Sequence, residues 1–147
     1  MYKKILIPLE NSTTDKVILN HIQDLARLCQ AKLLFVHVAD GFMARNQDSL
    51  NLVESEEMRV DREYLEGQVA AFKAEGFEAA FMLLCGEPSE KILQVVESEK
   101  CDLIAMATHG HRFLGDLVLG SVAEKIRHRT AVPILMVRAP LDNKKTA

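Results

Sequence analysis

Short apolar runs alternate with amphipathic helical periods along this chain, and that rhythm limits its fold more than any other feature. Ile5-Leu6-Ile7, Leu33 to Val38, Phe77 to Cys85, Asp102 to Thr108 and Pro133 to Arg138 read as strands. Ile18, Ile22, Leu25 and Cys29 recur at helical spacing between the first two. Met58, Leu65, Val69 and Phe72 mark a second helix, and Ile92, Val95 and Val96 a third. A fourth helix follows a glycine-punctuated loop and runs to the region of Arg129. Ser12 reads as the first helix's cap, with Asp15 in a capping-box-like position. Gly76 stops the second helix, and Pro88 suits the first turn of the third. Gly41 to Ser55 is polar and reads as a loop.

Regular alternation of strand and helix implies parallel strands joined by right-handed crossovers. The helices are apolar on one face, whereas the strands are apolar nearly throughout, as in a sheet covered on both sides. The expected fold is therefore a doubly wound, Rossmann-like α/β domain with an open parallel five-stranded sheet. It spans residues 1–140, and 141–147 form a polar tail.

Composition removes several classes of function. Hydrophobic residues make up 48% and charged residues 27%, a globular balance. Trp is absent, aromatics are 5%, and the net charge is -3 with no basic stripe, so nucleic acid is not an expected partner. No apolar run approaches the roughly 20 residues of a membrane helix, and MYKKILIPLE reads as a strand rather than a signal peptide. Cys29, Cys85 and Cys101 lack metal or redox spacing and read as small hydrophobes in a reducing cytoplasm.

The stretch from Ala107 to Ser121 carries the chemistry. It leaves the C-terminal end of a strand and enters a helix, the arrangement in which free backbone N–H groups and the helix dipole favour an anion. Gly110 permits close backbone approach, Gly120 and Ser121 lie at or near the helix start, and the Ser121 hydroxyl adds a donor. A Walker-type loop does not fit, because Asp116 follows Gly115 where Lys is needed. No G-x-G-x-x-G follows the first strand, so a dinucleotide fingerprint is absent.

These residues resemble the universal stress protein family. That family carries Gly-x-x-Gly, nine residues, then Gly-Ser/Thr after its fourth strand; here Gly110, nine residues and Gly120-Ser121 match. Gly86-x-Pro88, Asp102-Leu103-Ile104 and Ala131 to Val137 match as well, and the likeness covers essentially the whole chain. Two positions depart: the motif's first glycine is Ala107, and the usual first-strand Asp is Glu10. Ala107 keeps the backbone N–H and adds one methyl, which would crowd a ribose if it faced one.

The resemblance implies sheet order 3-2-1-4-5, a homodimer, and an adenine nucleotide (ATP, or ADP/AMP) at the ends of strands one and four. It implies that Glu10 and Ala107 meet the ribose, with Pro8, Leu9 and Thr108 beside them, and that Val38 and Ala39 meet the adenine. His109, Gly110, His111, Arg112, Gly120, Ser121 and Val122 would surround the phosphates, and Mg²⁺ would accompany a triphosphate. No residue is expected to be catalytic or metal-ligating. His109 and His111 have H-x-H spacing but no third ligand nearby in sequence, and His37 reads as a satisfied structural histidine.

Three functions remain open: a cytoplasmic nucleotide-binding regulator, a slow ATPase or phosphotransferase, and a nucleotide-free interaction module with a regulatory protein partner. The second lacks a clear base to position water. Pro133 to Arg138 would be an unblunted apolar sheet edge, and a second copy pairing antiparallel to it would place Leu135 and Val137 near the interface centre.

Overall fold

The computed structural model describes residues 1–39, 56–108 and 118–139. Among these residues the elements run β1 (Lys4–Pro8), α1 (Asp15–Cys29), β2 (Lys32–Ala39), α2 (Glu56–Ala74), β3 (Ala79–Cys85), α3 (Pro88–Ser98), β4 (Leu103–Thr108), α4 (Val118–Arg127) and β5 (Ile134–Arg138). All strand pairings are parallel, in the order β3-β2-β1-β4-β5. The chain winds outward from β1 in one direction, then returns to β4 and winds in the other. The crevice between β1 and β4 is thus the topological switch point, where open α/β sheets receive ligands.

Side-chain alternation divides the core into two layers. Ile5, Ile7, Leu33, Phe35, Ala105 and Ala107 face α1 and α2, where Ile18, Ile22, Ala26, Leu65 and Phe72 meet them. Leu6, Leu34, Val36, Ile104 and Met106 face α3 and α4 through Ile92, Val95, Val96, Val122 and Ile126. Phe35 is fully buried and makes an edge contact with Phe72 at 5.1 Å between ring centres. Aliphatic packing therefore dominates, and β1 lies at its centre, with Ile5, Leu6 and Ile7 wholly inaccessible.

Helix ends follow local chemistry. Gln30 closes α1 in the left-handed conformation, at φ 53°, and its N–H reaches the Arg27 and Ala26 carbonyls. Pro88 occupies the first turn of α3, and the Glu87 carboxylate accepts the Glu90 N–H at 2.8 Å. Burial works against the charge of Glu87, but hydrogen bonds from Ser89 and the Glu90 backbone hold its carboxyl below the usual range. Ser12 does not cap α1. The residue before that helix is Thr14, which makes no side-chain capping bond; of the capping-box exchange the structure shows the acid's half, with Ser12 donating its N–H to Asp15 at 3.3 Å. The acid wins because it is already buried and has other donors to collect there.

No helix among the described residues is long and apolar enough to cross a membrane. No disulfide links Cys29, Cys85 or Cys101.

Candidate functional site

β1 ends at Pro8, whose ring has no N–H to extend the ladder. Leu9 makes one last ladder bond, N–H to Val36 O at 2.8 Å, and is buried; the chain then turns off the sheet at Glu10. Glu10 is half-buried, and its carboxylate lies 3.5 Å from the Ser12 hydroxyl. Asn11 takes a left-handed conformation, φ 61°, which an Asn tolerates better than most residues.

This turn is held by two buried acids. Asp15, 1% exposed, accepts the N–H groups of Glu10 at 3.0 Å, Asn11 at 2.8 Å and Ser12 at 3.3 Å, and the Tyr64 hydroxyl at 2.7 Å. Burial, reinforced by Asp15, pushes the Tyr64 phenol far above its usual range, so it stays a donor. Asp61, 7% exposed on α2, accepts Asn11 Nδ2 at 3.1 Å and meets His37 Nε2 at 3.1 Å. The other ring nitrogen of His37, Nδ1, lies 2.7 Å from the Leu9 carbonyl. A carbonyl can only accept, so Nδ1 carries a proton. Buried carboxylates are costly unless hydrogen-bonded, and both acids meet that condition.

β2 runs on beyond its last pairing with β1, Pro8 to Val36. Peptide groups alternate sides along a strand. Val36 O faces β1 and Ala39 O accepts the Gly86 N–H at 3.2 Å on the β3 side, so Val38 turns its own N–H and C=O towards the crevice past the end of β1. Ala39 is buried beside Met58.

Across the switch point, β4 ends with Ala107 and Thr108, which pair with Val137 and Arg138. Thr108 is half-buried. Ala107 is 1% exposed, and its methyl packs in the layer against α1. The condition under which this methyl would crowd a ribose is not met: alternation aims it into the core. Its φ is not positive, so glycine is not required there. Gly120 and Ser121 fall in the first turn of α4; Ser121 is exposed, and Val122 is buried against Met106 and its neighbours. His109, Gly110, His111 and Arg112 lie outside the described residues.

Pro8, Leu9, Glu10 and Val38 thus lie at one end of the sheet with Ala39, Ala107 and Thr108. Sequence reasoning missed Asn11, Asp61 and Tyr64. One signal was legible: Asp61 shares the helical face of Met58, Leu65 and Phe72, an acid on an apolar stripe. Among the described residues no cluster of three His, Cys, Asp or Glu side chains is arranged for a metal ion. Among the described residues a groove of about 800 Å³ runs along the outer edge between α1 and β5, lined by Val17, Leu25, Leu28 and Val137 among others.

Comparison with known proteins agrees with this geometry. Residues 1–138 match the family model described as the universal stress protein family. A universal stress protein of Thermus aquaticus is 32% identical over 139 residues, covering 94% of this chain and 100% of that one. The solved structure of MJ0577, a universal stress protein of Methanocaldococcus jannaschii, superposes with a TM-score of 0.81 at 27% identity, covering 97% and 99% of the two chains. A universal stress protein of Archaeoglobus fulgidus, solved in complex with dAMP, has the same fold, with a TM-score of 0.68 at 22% identity over 92% of this chain and 98% of that one.

Proposed function

Since the chain belongs to the universal stress protein family, we propose that it is an adenine-nucleotide-binding regulatory protein, with its site at the C-terminal ends of β1 and β4. The observation that carries this reading is the Glu10 turn. A half-buried acid stands at the switch point on a backbone fixed by buried Asp15. Such an acid is suited to accept hydrogen bonds from ribose hydroxyls. Val38, with peptide groups turned into the crevice, offers a backbone donor and acceptor for the adenine edge, and Ala39 borders it. Gly110, His111 and Arg112, with Gly120 and Ser121 at the start of α4, would hold the phosphates. Mg²⁺ would accompany a triphosphate, held mainly by the phosphates themselves. That one relative was solved with dAMP supports an adenine ligand.

Binding rather than turnover is the activity proposed, with the nucleotide state read by a protein partner in the cytoplasm. His37 is committed to Leu9 O and Asp61, and Glu10 is assigned to the ribose. We also propose assembly through β5, which stands at the sheet edge beside the α1 groove. Titration calorimetry of the full chain with ATP, ADP and AMP tests the ligand. Saturable binding of at least one, competed by the others, is expected. No heat and no competition at millimolar concentration would refute the reading.

A further inference from the structure

Glu10 sits between two peptide units, and side chains from two elements, Asp15 of α1 and His37 of β2, hold them. The Leu9–Glu10 unit is gripped at each end: its carbonyl meets His37 Nδ1 at 2.7 Å, and its N–H meets Asp15 at 3.0 Å. The Glu10–Asn11 unit donates its N–H to Asp15 at 2.8 Å. Asn11 is then tied through its side-chain amide to Asp61, and Asp61 to His37, which returns to Leu9. The bonds form a closed circuit through the turn after β1, through β2 and through α2. Nothing in the packing of the core demands it, since two acids are buried to complete a surface turn. We infer that Asp15, His37, Asn11 and Asp61 are positioning residues, which fix the backbone at Glu10 so that its carboxylate meets the hydroxyls of a bound ribose already oriented.

This inference rests on the nucleotide reading above and adds the source of its ribose selectivity. Preorganisation matters here because a glutamate stem has more rotatable bonds than an aspartate. A loose backbone beneath it would spread the carboxylate over many positions, and binding would have to order it. With the backbone fixed, only the side chain remains to be ordered.

The circuit predicts which substitutions it tolerates. Asp61→Asn keeps the circuit closed with one bond reversed: Oδ1 accepts from Asn11, and the new amide donates to His37 Nε2, whereas in the unaltered protein Nε2–H donates to the carboxylate. Asp61→Ala leaves Asn11 and His37 without that partner.

The test compares ATP with 2′,3′-dideoxy-ATP, which lacks the ribose hydroxyls, on the full chain. The wild type should prefer ATP by about tenfold or more, the scale of hydrogen bonds to a charged group. Glu10→Gln and Asp61→Ala should each compress that preference to about threefold or less, leaving dideoxy-ATP affinity within about twofold. Asp61→Asn should retain the preference, and Asp61→Ala should add no further loss in the Glu10→Gln background. In the unaltered protein, hydrogen exchange should find the Glu10 and Asn11 amides protected although both lie in a turn.

If Asp61→Ala keeps the preference, or weakens both ligands alike, the positioning role is wrong. Fast exchange at both amides in the wild type overturns it too, without recourse to a variant. A wild type that binds both nucleotides equally removes the ribose role of Glu10, and this inference with it. Binding of neither would instead strike the nucleotide reading itself.

Discussion

Ala107→Gly is the substitution that would restore the family's usual glycine, and the structure turns its expected effect around. If the methyl pressed on a ribose, removing it would tighten nucleotide binding. The methyl is instead 1% exposed and packed in the layer that contains Ile5, Ile7, Ile18 and Ile22. Deleting one buried methyl forfeits about 0.8 kcal/mol of transfer free energy, plus a small cavity term where neighbours do not collapse. Glycine within a strand adds a further 0.5–1 kcal/mol of backbone entropy, roughly. The sum is about 1.5–2 kcal/mol. For a chain of 147 residues this corresponds to a fall in Tm of roughly 3–8 °C. Urea unfolding of the two proteins, followed by far-ultraviolet dichroism, measures the loss directly. The variant should unfold at lower urea with an unchanged slope, and its affinity for ATP should stay within about twofold of wild type. Equal stability, or ATP binding tightened tenfold, would show that the methyl faces the ligand after all.

Two further predictions follow from the same map. Met136 is the middle residue of β5 and is 49% exposed, whereas Leu135 and Val137 pack inward towards the α1 layer. In an antiparallel pairing of two β5 strands the middle residue lies nearest the axis. Met136→Lys should therefore raise the dimer dissociation constant by about 100-fold, from two buried methionines at about 1.5 kcal/mol each. Sedimentation showing a wild-type monomer at micromolar concentration, or an unaltered mutant dimer, would refute the interface. Burial pushes the Cys101 thiol up to about 11 from an ordinary value of 9.0, with Lys4 pulling the other way. A folded-state value above the unfolded one gives stability that is full below pH about 9 and fades as pH rises towards 11, by up to about 2 kcal/mol. Urea midpoints measured across that range should fall more steeply for wild type than for Cys101→Ala; equal slopes would refute it.

The strands and helices could be read from the sequence because periodicity is a local property. Ile18, Ile22, Leu25 and Cys29 recur on one helical face whatever they pack against; Ile18 and Ile22 are buried, and Leu25 and Cys29 are half-buried against the same layer. The orientation of Ala107 could not be read in the same way. A strand buried on both sides shows no polar face, so nothing marks which neighbour each residue meets until the helices are placed. Ser12 and Asp15 form only the acid's half of a capping box for a related reason. The motif describes two residues exchanging bonds, whereas Asp15 is also claimed by Tyr64, 49 positions away. The His37–Asp61–Asn11 circuit lies wholly in this class: its members come from β2, from α2 and from the turn after β1, and only the sheet order brings them together. Likewise the inward lean of Leu135 and Val137 follows from α1 lying over one side of β5, which the last strand alone does not disclose.

Because every strand points the same way, the two ends of the described chain emerge on opposite sides of the molecule. Lys4 begins β1 at the end of the sheet away from the crevice. Arg138 finishes β5 beside Thr108, at the crevice end, where Ala139 donates its N–H to the Thr108 carbonyl at 2.8 Å. A five-residue strand is about 17 Å long. A fluorophore or affinity handle carried ahead of β1 therefore stands at least that far from the Glu10 turn, whereas one placed after β5 borders the crevice and reports on it. Surface immobilisation on the Lys4 side leaves the candidate site facing solution, whereas attachment at Ala139 turns it towards the support.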